Sequence, residues 1–269
     1  MRLRELVDLL TISSTTGDMN IEINEIRMNS KHVRPGDLFI CIPGFPGFQE
    51  DRHQFAEDAV KAGAVALVVE QDVNVSVPTV KVPSARYAMA VFANHLNHYP
   101  SNNLKLIGVT GTNGKTTTSH MIESIIAEAG HITGLMGNLG TKIGKNLIGT
   151  DINTQEPHSL QRNLKRMNEA SVDYCIMEVT SQGLDFGRVL GCNYKSAVFT
   201  NLTQDHLDFH GSMENYLAAK GLLFSRMGNE FSSDSNTRKF SILNADDPAS
   251  EYFCKITSAQ VVTYGIKNK

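Results

Sequence analysis

The chain has 269 residues, 41% of them hydrophobic and 20% charged, with 21 glycines and 8 prolines; this make-up suits one or two globular domains and excludes a collagen-like, coiled-coil or disordered chain. Lys and Arg number 25 against 28 Asp and Glu, a net charge of −3, so no basic excess exists to grip a phosphate backbone and nucleic acid is set aside as a partner. The longest apolar runs, such as Ala64–Val69, fall far short of the ~20 residues of a membrane span, and no secretory signal is visible at the N-terminus. The four scattered cysteines (Cys41, Cys175, Cys192, Cys254) form no C-x-x-C pair. A cytoplasmic protein with reduced thiols and no membrane partner is expected.

Up to residue 102, short apolar runs predict strands at Leu38–Ile42, Ala64–Val69 and Thr79–Val82, and helical spacing appears around Phe55–Ala62 and Ala85–Leu96. The polar stretch Asn97-His98-Tyr99-Pro100-Ser101-Asn102-Asn103 then reads as a linker. Leu104–Val109 is a predicted strand, followed by a Gly-rich turn and a helix in which Met121, Ile122, Ile125, Ile126 and Ala129 keep one apolar face. A helix at Leu160–Asn168 leads to a strand at Tyr174–Val179, and a strand at Ser196–Asn201 leads to a helix at Met213–Met227. Two more strands, Phe240–Asn244 and Gln260–Tyr264, follow. Strands alternating with helices predict a parallel sheet covered on both faces. The expected fold class is α/β: a small N-terminal α/β domain over residues 1–102, then a phosphate-loop ATPase domain with a mostly parallel sheet over 103–269.

The segment Gly108-Val109-Thr110-Gly111-Thr112-Asn113-Gly114-Lys115-Thr116-Thr117 stands where a phosphate loop must stand, after a strand and opening a helix. Glycines let backbone N–H groups approach phosphate oxygens, and the helix N-terminus adds a positive dipole. In that arrangement Gly111, Thr112, Asn113, Gly114, Lys115, Thr116 and Thr117 bind the nucleotide. Lys115 reaches the β/γ-phosphates and the Thr116 hydroxyl ligates Mg²⁺. The strict G-x₄-G-K-[ST] spacing is missed by one residue, because position 109 is Val and the nearest glycine is Gly108.

The run Thr110-Gly111-Thr112-Asn113-Gly114-Lys115-Thr116-Thr117 resembles the phosphate loop of the Mur ligases, the ATP-dependent amide-forming enzymes of peptidoglycan precursor synthesis. Further stretches resemble the branch that adds the third residue of the stem peptide: Asn29-Ser30-Lys31 with Pro35-Gly36-Asp37-Leu38-Phe39, Met177-Glu178-Val179, and Thr200-Asn201-Leu202-Thr203-Gln204-Asp205-His206-Leu207-Asp208. Tyr216-Leu217-Ala218-Ala219-Lys220-Gly221-Leu222-Leu223-Phe224 and Leu243-Asn244-Ala245-Asp246-Asp247 complete the set, so the likeness runs through the whole chain in order.

The resemblance implies an ADP-forming ligase that activates a substrate carboxylate as an acyl phosphate and lets an amine displace the phosphate. ATP and Mg²⁺ are the implied cofactors, with UDP-MurNAc-dipeptide and an amino acid as substrates. Such chemistry gathers several anions in one place and needs metal ions and cations as clamps. By the same resemblance Lys115, Lys220 and His206 are catalytic; Thr116, Glu178 and His206 hold metal, joined by Lys220 once CO₂ has carbamylated it. Ser30, in the UDP-sugar-binding N-terminal domain, and Thr154, Thr180 and Arg188 are the implied substrate-binding residues. Depression of the Lys220 pKa by burial would favour the carbamate, since CO₂ attacks the neutral amine.

Two loops depart from the family pattern. Asn153-Thr154-Gln155-Glu156-Pro157 stands where Asn-Thr-Thr-Pro-Glu is usual, and Thr180-Ser181-Gln182 stands for Ser-Ser-His. Moving Pro changes the loop backbone, and Gln for His removes a titratable ring, so altered substrate handling with nucleotide binding retained is expected. The family continues into a third domain that binds the incoming amino acid, and Tyr264-Gly265-Ile266-Lys267-Asn268-Lys269 falls where that domain would begin. The residues therefore leave open a ligase completed by a further domain and a degenerate module that holds ATP or UDP-muramoyl peptide without joining anything. A generic phosphate-loop kinase is a third reading, against which the Thr200–Asp208 and Lys220 matches count. Nothing in the sequence specifies the added amino acid or an oligomeric state.

Overall fold

A computed structural model describes residues 1–150, 152–228, 234 and 237–268, so Lys269 of the terminal stretch lies outside the described residues. The chain divides into two compact units, Met1–Tyr99 and Pro100–Lys269. Asn97 to Tyr99 end the first, with His98 and Tyr99 at positive φ, and a 3₁₀ turn at Pro100–Asn102 opens the second.

The first unit holds α1 (Leu3–Val7), β1 (Ser14–Thr16), β2 (Ile26–Arg27), β3 (Leu38–Ile40), α2 (Ala56–Lys61), β4 (Ala66–Val69), β5 (Thr79–Lys81) and α3 (Ala85–Leu96). Its sheet runs β1-β5-β4-β3-β2, parallel except at the β1/β5 edge. Side chains alternate across a strand, so β3 and β4 feed two cores. Leu38, Ile40 and Val68 meet α1 and α3 through Leu3, Leu6 and Phe92, whereas Phe39, Leu67 and Val69 meet Ala56 and Ala59 of α2.

The second unit opens with β6 (Lys105–Thr110), α4 (Lys115–Glu128), β7 (Thr133–Gly137), β8 (Gly140–Ile143), β9 (Asn146–Ile148) and α5 (Pro157–Glu169). It continues with β10 (Tyr174–Glu178), α6 (Ser181–Asp185), β11 (Tyr194–Phe199), α7 (Leu207–His210), α8 (Met213–Ser225), β12 (Phe240–Asn244), α9 (Ala249–Ile256) and β13 (Gln260–Tyr264). Eight strands lie in the order β13-β12-β11-β6-β10-β7-β8-β9, parallel from β13 to β7 and antiparallel through β8 and β9. Both faces of the central strands are buried, as expected for parallel strands, whereas the edge strand β13 is exposed along its length. Leu106, Cys175, Met177, Ala197 and Phe199 face α5 and α8, while Ile107, Val109, Ile176 and Val198 face Ile122 and Ile126 of α4. β6 sits at the centre, and the chain turns from it toward β7 on one side and later toward β11 and β12 on the other. That switch opens a crevice at the carboxyl ends of β6 and β11, where open α/β sheets bind ligands.

The α/β reading holds, but α4 differs from its expected pattern. Met121 and Ile125 are 61% and 69% exposed, and only Ile122 and Ile126 reach the core. The buried positions include Glu123, whose carboxylate accepts from Thr133 Oγ1 (2.6 Å) and Lys142 Nζ (3.0 Å). An ion pair seated under the helix replaces the apolar contact that its periodicity suggested, and desolvation is offset by those two donors. Among the described residues no helix is long and apolar enough to cross a membrane.

Candidate active site around the phosphate loop

β6 ends at Thr110 and the loop 111–114 turns the chain into α4. Gly111 has φ +149, and a Cβ there would lie 1.9 Å from Thr200 Oγ1; Gly114, at φ +84, precedes the helix. The loop is tied to the end of β11. Thr112 N donates to Asn201 O (2.8 Å), Asn113 N donates to Asn201 Oδ1 (3.0 Å), and Asn201 Nδ2 donates back to Asn113 O (3.1 Å). Thr200 Oγ1 also donates to Asn113 O (2.7 Å), and Thr203 N donates to Thr112 Oγ1 (3.0 Å). These bonds fix the loop and leave the first turn of α4, including Lys115, Thr116 and exposed Thr117, at a helix N-terminus suited to phosphate.

Two ammonium groups converge on the loop. Lys115 Nζ donates to the carbonyls of Gly111 and Thr112, both at 2.8 Å, and Lys220 Nζ donates to Gly111 O at 3.0 Å. Lys220 is only 1% exposed, and its Nζ lies 4.4 Å from the Tyr216 ring centroid. Burial lowers the Lys220 pKa to about 7, helped by the charge of Lys115 and opposed by Asp205. Burial also lowers Lys115, against the pull of Glu178 and Asp205. Tyr216, buried beneath Lys220, shares a 3.2 Å hydrogen bond with Thr112 Oγ1, so α8 supports the loop through both residues.

Beside them, at the end of β10, lies the Glu178 carboxylate, 1% exposed. Oε2 accepts from Thr116 Oγ1 (3.0 Å) and Asn153 Nδ2 (3.3 Å), and Oε1 accepts from Asn138 N (3.2 Å). Gly137 makes room for it, since a Cβ there would fall 2.2 Å from Oε1. The amide oxygen of Asn153 is buried with no hydrogen-bond partner among the described residues. A hydroxyl, a carboxylate and an orphaned amide oxygen fit Mg²⁺, which takes a few oxygen ligands and keeps waters. Among the described residues no three His, Cys, Asp or Glu side chains cluster into an all-protein metal cage.

His206 stands at φ +50 before α7, a left-handed backbone uncommon outside glycine. Its backbone N–H donates to Asp205 Oδ1 (2.8 Å), and its Nε2 lies 3.5 Å from Asp205 Oδ2. The ring is 6.1 Å from that of Tyr216, which keeps it on the side of the loop that Lys220 occupies.

Thr154, Thr180 and Arg188 come together beneath Glu178. Thr154 has φ +58 and donates from Oγ1 to Glu178 O (3.1 Å) while accepting from Thr180 N (2.9 Å). Thr180 caps α6 by accepting from Gly183 N (3.1 Å). Arg188 Nε donates to Glu156 Oε1 at 2.8 Å, and its Nη1 donates to Thr154 O at 3.4 Å. Ser30 belongs to the other compact unit, at the start of a 3₁₀ turn capped by the Asn29 side chain.

Sequence reasoning overlooked Asn201, Tyr216 and His210. Asn201 and Tyr216 lie inside the stretches that were singled out, but their roles depend on partners about 90 and 104 residues away. Buried His210 is within hydrogen-bond reach of Ser181 Oγ at 2.9 Å and its ring packs 5.0 Å from that of Tyr216. The unusual Gln155 is structural: its side chain donates to Thr141 Oγ1 and accepts from Asn163 Nδ2, both at 2.8 Å. Gln182, the other departure, has its Oε1 3.3 Å from Ser181 Oγ.

Residues 109–269 match the Mur ligase middle domain, and residues 22–105 match the Mur ligase family, catalytic domain. A UDP-N-acetylmuramoyl-L-alanyl-D-glutamate–2,6-diaminopimelate ligase from Geobacillus thermodenitrificans is 51% identical over 93% of this chain and 50% of its own length. The Bacillus licheniformis protein of the same name is 45% identical over the whole chain and 54% of its own length. A solved structure of a ligase of this name superposes with a TM-score of 0.81 at 26% identity, over 100% of this chain and 53% of that one. MurF from Acinetobacter baumannii, at 20% identity and a TM-score of 0.69, shares the fold. The chain thus spans about half the length of the curated relatives it matches.

Proposed function

The chain belongs to the Mur ligase family, and on that premise we propose that it provides the nucleotide and muramoyl-peptide sites of an ADP-forming ligase acting on UDP-MurNAc-L-Ala-D-Glu. The names of the relatives support 2,6-diaminopimelate as the amino acid to be added. The observation that carries this reading is the convergence of Lys115 and Lys220 on one loop carbonyl beside the hydrogen bond from half-buried Thr116 to buried Glu178. A cation at Lys115, a hydroxyl–carboxylate pair for metal and a second lysine open to carbamylation, next to a helix N-terminus, suit a γ-phosphoryl group leaving ADP for a carboxylate oxygen.

In this reading Met1–Tyr99 is the UDP-sugar unit, with Ser30 as a contact, and Pro100–Lys269 is the ATP unit. Thr116 and Glu178 would hold Mg²⁺, which when bound would offset the negative charge of the phosphates. Lys115 exchanges its two carbonyl partners for phosphate oxygens, and Thr112, Asn113 and Gly114 hold the loop against the triphosphate. Lys220, whose ammonium is easily deprotonated, would add as the neutral amine to the carbon of CO₂ and release a proton to water, and the resulting carbamate, with His206, would hold a second Mg²⁺. Thr154, Thr180 and Arg188 line the peptide side. The amine of the amino acid then attacks the acyl phosphate carbon, and phosphate leaves as the amide forms.

The test supplies ATP, Mg²⁺, UDP-MurNAc-L-Ala-D-Glu and diaminopimelate to this chain, alone and fused to the C-terminal half of the Geobacillus relative. ADP and a new amide from the fusion are expected. Nucleotide and dipeptide binding without turnover in either protein would leave a binding module in place of a ligase.

A further inference from the structure

We propose that His210 is a positioning residue that couples the peptide side of the site to the phosphate loop, so that a muramoyl peptide and a nucleotide tighten one another through its ring. The role rests on the proposed function, which supplies the two ligands, and adds the side chain that joins their positions.

The local sequence brings the ring to its place. α7 is a single turn, and Gly211, at φ +76, stops it directly after His210. Ser212 then caps α8 by accepting from Asn215 N (3.2 Å), and the Asn215 side chain reaches back to donate to His210 O (2.9 Å). This corner presents the imidazole to α6 and α8 at once. On one side His210 Nε2 lies 2.9 Å from Ser181 Oγ. Ser181 opens α6, and Thr180 just before it caps that helix and donates its N–H to Thr154 Oγ1. On the other side the ring lies 5.0 Å from that of Tyr216, with the two planes inclined by 32°. Tyr216 shares its hydroxyl hydrogen bond with Thr112 of the phosphate loop and carries Lys220 Nζ over its face.

Ser181, His210, Tyr216 and Thr112 are 1%, 7%, 0% and 8% exposed, so the whole series of contacts runs out of water. A close-packed interior has little slack to absorb a shift at one end, and a buried hydrogen bond is expensive to open. A nucleotide that fixes Thr112 therefore holds Tyr216, the His210 ring and Ser181 in one arrangement, and the peptide meets Thr180 and Thr154 already placed. Linkage makes the effect reciprocal. A second route leads from Thr154 Oγ1 to the Glu178 carbonyl. It ends on a strand laddered to β6, where Glu178 pairs with Val109, and such a strand has less freedom to move than a five-residue helix and a one-turn corner.

The test measures by calorimetry the dissociation constant of UDP-MurNAc-L-Ala-D-Glu without and with a non-hydrolysable ATP analogue and Mg²⁺, and reads the ratio. For the wild-type chain a ratio of at least about five is expected, the lower end of ordinary coupling between sites. His210→Phe keeps a ring against Tyr216 and removes the nitrogen that meets Ser181; Tyr216→Phe keeps the ring and removes the hydroxyl that meets Thr112. Each should bring the ratio below about two, and the double variant should go no lower, because the two residues act in series. A merely structural role would lower the unfolding midpoint and both affinities while keeping the ratio. A ratio that survives His210→Phe assigns the coupling to the Thr154–Glu178 route and overturns the proposal. Ser181→Ala cuts the same link from its other end should His210→Phe fail to fold. A wild-type chain that binds both ligands independently also overturns the proposal and leaves the proposed function standing. If it fails to bind one of the two ligands, the proposed function falls and takes the coupling with it.

Discussion

Lys115 and Lys220, 105 positions apart in the chain, donate to the same acceptor, the carbonyl oxygen of Gly111, at 2.8 and 3.0 Å. One helix supplies a cation from its first residue, the other from its buried middle, and the backbone between them holds both near the place where phosphate charge would develop. Their mutual repulsion is part of what depresses Lys220.

The titration of Lys220 should therefore be visible in stability. With its pKa lowered to about 7 in the fold, against 10.5 ordinarily, the unfolded chain holds the extra proton between those limits. Folding stability consequently rises with pH across that window, and the burial penalty is complete below it. Relative to Lys220→Met, the wild-type chain should gain unfolding free energy from pH 7 to 10, at a slope of at most about 1.4 kcal/mol per pH unit. Urea titrations of both proteins at several pH values check this; parallel curves would mean that Lys220 stays charged.

Gly111→Ala should damage both the loop and the fold. The new Cβ meets Thr200 Oγ1 at 1.9 Å, on a backbone at φ +149. A strained backbone of this kind costs about 1–3 kcal/mol. A lower urea midpoint together with loss of ATP-analogue binding is expected, while Gly47→Ala, at φ +78 with nothing within 4 Å, should lower stability through backbone strain alone and leave nucleotide affinity unchanged.

Removing the charge of Glu178 should uncouple nucleotide from metal. Glu178→Gln keeps the shape that Asn138 and Thr116 pack against. It should lower Mg²⁺-dependent nucleotide affinity by at least about ten-fold, the lower end of what losing a metal-site group gives. Calorimetry with and without EDTA separates the terms: chelation should weaken binding in the wild type and change little in the variant.

Gln155→Thr, a return to the family's residue, should destabilise this chain. The shorter side chain leaves Asn163 Nδ2 and Thr141 Oγ1 without their 2.8 Å partner. Each buried polar group so abandoned costs about 1–3 kcal/mol, read as a fall in the unfolding midpoint. An unchanged midpoint with altered peptide binding would make Gln155 a ligand contact.

Much of this architecture is written locally. The phosphate loop announces itself because glycines, Lys and Thr must follow a strand and open a helix, and α3, β12 and β13 begin and end where their hydrophobic spacing does. What escaped depends on distant partners. The β7–β9 ribbon is rich in glycine, and Gly137 is there because the Glu178 carboxylate, 41 positions later, needs its space. Glu123 of α4 is buried because Thr133 and Lys142, 10 and 19 positions later, complete it. The five-residue α6 is too short to show a period. The Gln-Glu-Pro loop could be recognised as a departure, yet nothing local told that Gln155 would turn inward and Glu156 toward Arg188.

β11 carries a register shift against β6 between Tyr194 and Ser196, after which the two strands pair in step to Phe199 and Thr110. Just beyond that last rung, the Asn201 side chain bonds both the N–H and the C=O of Asn113. A side-chain amide placed this way acts as a registration mark, because only one alignment of the two strands lets its oxygen and nitrogen find opposite partners. A one-residue slip would turn every side chain of β11 to the wrong face and leave two backbone groups of the loop unmated. The loop proposed to hold phosphate is therefore also where the central sheet verifies that it has been assembled in the correct alignment.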